Sequence, residues 1–210
     1  KTGGRVVHDP ELNVYVSGIV CKLAGDHCGS IRTYIIRVPA FNATMAPNGT
    51  MQVYTGLLLR AENEAQLATV LGHEVGHFLK RHSIKNWRKL RNASNVATFF
   101  SFAFAAAGVG ELGLIVQLAA QGSVAANSRD FERQADNIGH MLMSQHGYDP
   151  AEAAKLWENL IAEEKAATDK KHRVLFFASH PPREEREETL GARAALIAED
   201  GETRGSYRDR

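Results

Sequence analysis

The stretch VLGHEVGHFLKRHS, residues 70–83, decides how the rest of the chain is read. It contains HEVGH, with His73 and His77 four residues apart. On an α-helix that spacing puts both imidazoles on one face, with Cβ atoms about 5–6 Å apart. Both rings can then reach one ion at the ~2.0–2.1 Å typical of zinc. Glu74 sits about 100° further round, able to face a water on the ion without being a ligand. Such an ion brings its water toward a pKa of ~7, and a neighbouring carboxylate takes the proton. This is the spacing of metalloproteases. Five residues with two free positions also recur by chance, so the flanks carry weight. Val70, Leu71, Gly72, Val75, Gly76, Phe78 and Leu79 are all uncharged. They predict a buried helix, where two imidazoles and a carboxylate without a metal would be costly.

An open zinc site needs a third protein ligand and a free fourth position. The three-histidine class would carry Gly at position 80 and His at 83. This chain has Lys80 and Ser83, and His82 is out of register. A glutamate on a second helix remains, and Glu132 is the best candidate. It lies in SRDFERQADNIGHMLMSQHG, residues 128–147, where Phe131, Ala135, Ile138 and Leu142 share a face and Gly147 reads as the C-cap. Asp136, four residues on, is placed to accept the other ring N–H of a ligating histidine. His8, His27, His82, His140, His146 and His172 read as ordinary polar histidines.

The 210 residues suit one domain, and 44% hydrophobic content allows a sizeable core. Lys plus Arg is 25 against 24 Asp plus Glu, so net charge is +1 and nothing points to nucleic acid. The chain starts at Lys1 with no signal sequence, so any targeting segment is invisible. Cys21 and Cys28 form a small disulfide loop, implying an oxidising compartment, or stand as two unrelated thiols. Their spacing is a poor zinc pattern.

Asp9-Pro10 opens a helix with Leu12, Tyr15, Val16, Ile19, Val20 and Leu23 at helical spacing, ended by Gly25. Residues 31–38 and 50–55 read as strands around an Asn48-Gly49 turn. MAP, residues 45–47, suits an edge strand. A long helix is expected over about 63–82, opened by Asn63 and Gln66 as a capping box. Residues 93–126 are apolar, uncharged from Val96 to Gly110, and interrupted at Gly108, Gly110 and Gly113. Either half falls short of the ~20 residues that span a bilayer. A helical hairpin fits, packed on the domain, on a partner protein or into a membrane surface. A further helix follows Asp149-Pro150, then a loop and a last helix over 174–200. Residues 201–210 form a polar tail.

GTMQVYTGLLLRAENEAQLATVLGHEVGHFLKRHS (49–83), FERQADNIGHMLM (131–143) and SHPPREER (179–186) together resemble the zinc metallopeptidases of the CAAX prenyl protease and HtpX type. The resemblance covers most of residues 8–195, in order. It implies a gluzincin, zincin-like fold: a mainly α domain with a small antiparallel-edged β-sheet (α+β), spanning 1–200 with an apolar helical insertion at about 93–126. It implies His73, His77 and Glu132 as ligands of one Zn2+ and Glu74 as base. Asn42, Ala43, Met45 and Ala46 match the segment around the edge strand that pairs with extended substrate. His180 matches the family's histidine, either donating to the oxyanion or closing the site as a fourth ligand. Arg186 matches an arginine that stabilises the charged intermediate. The long apolar spans of the membrane members are missing. That points to the soluble periplasmic or lipoprotein-anchored bacterial branch (BepA-like and LoiP-like), with which the cysteine pair agrees. The expectation is a zinc endopeptidase cutting extended or misfolded polypeptides in bacterial envelope protein quality control. The rival is a chaperone or assembly factor with latched or secondary proteolysis, motivated by residues 93–126. A prenyl-peptide (CAAX) protease is a third option.

Overall fold

Asp9 opens the first helix. Its carboxylate accepts from the Leu12 N–H at 3.0 Å, and α1 runs Pro10–Ala24 with Pro10 in the first position. Val16, Ile19, Val20 and Leu23 are buried, whereas Tyr15, expected beside them, is half exposed. The computed structural model describes residues 5–109, 111–166 and 192. A 3-10 turn, Gly25–Ser30, follows α1, and a Cys21–Cys28 disulfide closes this corner.

Three strands come next: β1 Arg32–Ile36, β2 Ala43–Met45 and β3 Thr50–Tyr54. The sheet order is β1-β3-β2, with β1 parallel and β2 antiparallel to β3. The edge strand expected at 45–47 begins two residues earlier. Pro47 has no N–H for a ladder, and Ala46 instead starts the turn, its carbonyl accepting from Gly49 N–H at 3.0 Å. Gly49 turns the chain at φ +82, as Asn48-Gly49 suggested. Val6 bridges to Ile36 of β1, so among the described strands β2 is the open edge. Tyr54 N–H donates to the Asn42 carbonyl and Ala46 N–H to that of Thr50. Alternate residues face the partner in such a ladder, so the backbone groups of Ala43 and Met45 point away from β3.

The helical part comprises α2 Thr55–Leu58, α3 Glu64–Leu79, α4 His82–Ala106, α5 Glu111–Gln145 and α6 Ala151–Ala166. Asn63 caps α3 by accepting from Gln66 N–H at 2.9 Å. The Gln66 side chain reaches back to Glu62 N–H, one residue beyond the usual capping-box partner. From Gln66 to Gly76 every residue of α3 is buried, so it is the central helix. Leu67, Val70, Leu71 and Val75 meet Ile35, Met51 and Val53 of the sheet, Met143 of α5, and Leu156, Trp157 and Leu160 of α6 in one core.

Two expectations are corrected. The helix expected over 63–82 stops at Leu79. Arg81 adopts φ +55 and ψ 39, and a new helix restarts at His82. Arg81 is the one non-glycine residue with positive φ among the described residues. The α4–α5 hairpin forms, but Gly113 does not break it. A Cβ there would lie 3.3 Å from Ser101 Cα, so this glycine admits close packing. α5 runs through it as one helix of 35 residues. No described helix is long and apolar enough to cross a membrane.

The crossing of α3 with α5 positions the site. A Cβ on Gly139 would lie 3.0 Å from His73 N and 3.1 Å from Gly72 C, and one on Gly76 would lie 3.0 Å from Ala135 O. The backbones approach this closely only because no side chains intervene. The polar residues of α5 are thereby set against HEVGH.

Candidate active site

His73 and His77 of α3 meet Glu132 of α5. The two Nε2 atoms are 3.0 Å apart. Glu132 Oε2 lies 3.4 Å from His73 Nε2, and its Oε1 lies 3.3 Å from His77 Nε2. His73 and Glu132 are buried and His77 nearly so. These donor atoms form a group able to hold a metal ion. Ligands around a tetrahedral ion at ~2.0–2.1 Å are spaced by about 3.3 Å, and the observed separations fit. The donor chemistry fits too: bare imidazole nitrogens and a carboxylate repel one another unless a cation joins them.

The far nitrogens of both rings are engaged. His73 Nδ1 lies 2.7 Å from Asp136 Oδ1, so its N–H donates to the carboxylate and Nε2 keeps its lone pair toward Glu132. Asp136 therefore stands where the helical spacing put it. His77 Nδ1 lies 3.0 Å from His82 Nδ1. His82 Nε2 in turn lies 3.3 Å from Gln134 Oε1, and the ring stacks on Phe131 at 4.3 Å. His82 is buried. Reading it as an ordinary polar histidine missed this contact. On a continuous helix, five residues would place it about 140° round from His77. The break at Arg81 removes that separation, and no glycine or proline announces the break. Burial, and then neighbouring His77, push His82 down to about 4. Burial also lowers His77, against the opposing pull of the Glu132 carboxylate. Both rings are neutral at neutral pH, the state a metal requires.

Glu74 is buried and lines a cleft of about 230 Å³ with His77, Glu132, Phe131, Thr44 and Met45. Met45, Ala46 and Pro47 also wall a neighbouring recess with His77, Phe78 and the corner residues His27 and Ser30. The open β-edge and the His73, His77 and Glu132 group thus share one region. Asn42 is buried beside it, its carbonyl taken by Tyr54 N–H. His180 and Arg186 lie outside the described residues.

The model for peptidase family M48 matches residues 7–194. The chain belongs to that family. It is a metallopeptidase domain, and a divalent metal and a polypeptide substrate go with M48 membership. It is 36% identical to the mitochondrial metalloendopeptidase OMA1 of Schizosaccharomyces pombe over 73% of this chain and 43% of that protein. The OMA1 of Arabidopsis thaliana is 34% identical over 60% of this chain and 25% of its own length. The beta-barrel assembly-enhancing protease of Escherichia coli K12 is 24% identical over 74% of the chain and 34% of its own. The M48 chain thus spans less than half the length of each relative.

Proposed function

We propose that this M48 domain is a zinc-dependent endopeptidase that cuts extended or misfolded polypeptides. The convergence of His73, His77 and Glu132 in a cleft shared with Glu74 and β2 carries the reading. Those three residues would hold one Zn2+, which two nitrogens and one oxygen favour. When bound, the ion supplies Lewis acidity, acidifying a water and polarising the scissile carbonyl. Glu74 takes the proton of the attacking water and passes it to the leaving amine. Asp136 holds His73 in its tautomer. Substrate extends the sheet at β2 by bonding the outward backbone groups of Ala43 and Met45, flanked by Asn42 and Ala46. His180 and Arg186 would face the charge developing on the carbonyl oxygen.

The disulfide supports an oxidising compartment. With the likeness to the bacterial beta-barrel assembly-enhancing protease, it supports a role in bacterial envelope protein quality control. The mitochondrial relatives supply the competing location. The test is metal analysis paired with a casein digest, with and without chelator, on wild type and Glu74→Gln. The variant should retain the metal and lose cleavage by about 10²–10⁴-fold. Unchanged proteolysis would sink the assignment.

A second reading rests on the α4–α5 hairpin. Phe99, Phe102, Ile115 and Leu118 are exposed along it. The same two helices supply Ser83, Asn86, Ser128 and Phe131 to the cleft. In this reading the apolar face holds unfolded polypeptide that continues into the cleft, making the protein a chaperone or assembly factor with secondary proteolysis. Glu74→Gln should then still suppress client aggregation, and Phe99→Ser with Phe102→Ser should abolish it. Vesicle binding without client holding would reassign the face to a membrane surface.

A further inference from the structure

We infer that His82 is a positioning residue for the metal site, fixing the tautomer and ring plane of His77. The inference rests on the proposed reading of His73, His77 and Glu132 as ligands. Nδ1 of His77 and Nδ1 of His82 are 3.0 Å apart, so one proton lies between them. Gln134 Oε1 faces His82 Nε2, and a carbonyl oxygen only accepts. The His82 proton therefore sits on Nε2, and its Nδ1 is a bare acceptor. His77 must then supply the proton from its own Nδ1. That leaves His77 Nε2 as a lone pair aimed at His73 and Glu132, the form that binds a metal.

The backbone is shaped for this contact. α3 ends at Leu79, and the left-handed turn at Arg81 starts α4 at His82. A left-handed non-glycine residue costs about 1–2 kcal/mol, so the surroundings must hold it in place. Phe131 stacks on the far side of the His82 ring and fixes its plane. Residues 132–136 of α5 thus serve both histidines. Glu132 joins the metal group, Asp136 backs His73 directly, and Gln134 backs His77 through His82. The two supports differ chemically. A carboxylate raises the basicity of His73, whereas His77 leans on a neutral ring.

The alternative is that His82 merely fills space against Phe131. Two variants separate these roles. His82→Phe keeps an aromatic ring for the stack and removes the acceptor. His82→Asn removes the ring and keeps an acceptor oxygen near the Nδ1 position. Zn2+ affinity is measured by competition with a chromophoric chelator, and the His77 tautomer by ring ¹⁵N NMR of the metal-free protein. His82→Phe should weaken Zn2+ binding about 10–100-fold and shift His77 away from its Nδ1–H form. His82→Asn should restore most of both. Gln134→Leu, at an exposed position and therefore safe for folding, should weaken binding in the same direction. Wild-type affinity in both His82→Phe and Gln134→Leu would overturn the inference while leaving the ligand assignment intact. A wild type that binds no Zn2+ would overturn both together.

Discussion

Gly139→Ala tests the crossing on which the site depends. The added methyl would meet His73 N at 3.0 Å, Gly72 C at 3.1 Å and His73 Cα at 3.3 Å, all backbone atoms that cannot swing aside. Ordinary contact begins at 3.4 Å, so the helices must part by at least 3.4 − 3.0, about 0.4 Å. Overpacking of this kind costs about 1–3 kcal/mol, and the better helix propensity of alanine returns up to about 1 kcal/mol. The net loss should be about 1–2 kcal/mol, or about 2–8 °C in Tm for a chain of this length. The same movement stretches the 2.7 Å His73–Asp136 contact to about 3.1 Å, beyond the range of charge-assisted bonds. Zn2+ affinity should fall with it. Thermal melts of the metal-free protein and a Zn2+ titration read the two effects. Gly18→Ala is the control: nothing lies within 4 Å of its Cβ position on α1, and it should gain up to about 1 kcal/mol. If Gly139→Ala melts at or above wild type with unchanged affinity while Gly18→Ala stabilises, the close crossing is refuted.

Burial holds His82 and His77 below the ordinary value of 6.5, so the unfolded chain binds more protons as pH drops below 6.5. The metal-free protein should keep this stability above pH 6.5 and lose it progressively toward pH 4, and a urea midpoint that is flat across that window contradicts the assignment. Replacing Cys21 and Cys28 by serine opens an eight-residue loop and should cost about 2.5 kcal/mol in chemical denaturation; no loss would show that the bridge does not form. Arg81→Gly relieves a left-handed residue and should raise stability by about 1 kcal/mol, whereas a lower Tm would mean the Arg81 side chain earns its place through contacts.

The parts of the fold that rest on local chemistry were legible in the sequence. Asp9 with Pro10, Asn63 with Gln66, and Asn48 with Gly49 each mark a boundary through a hydrogen bond or a backbone angle that neighbours can satisfy. The HEVGH helix was legible from its flanks and spacing, and Glu132 and Asp136, expected from what a metal ion there would still lack, lie against it. What was hidden depends on contacts between distant segments. The end of α3 falls at an arginine in a glycine-like conformation, which no residue preference signals, so the position of His82 could not be foreseen. Gly113 reads as a breaker on propensity alone, yet it sits in the first turn of α5 with Ser101 packed close against it. His180 and Arg186, expected from the family resemblance alone, lie outside the described residues.

The disulfide corner and the β2–β3 turn are tied together, Arg32 N–H donating to the Gly49 carbonyl at 2.8 Å. His27 and Ser30 from the corner and Ala46 and Pro47 from the turn form one lip of the recess beside His77. The lip is carried by a short early stretch of chain, whereas the reactive groups are carried by α3 and α5. On the proposed reading, the choice of peptide would be modular with respect to bond cleavage. Grafting a different corner and turn onto this scaffold should retune side-chain preference without disturbing the residues that carry out hydrolysis.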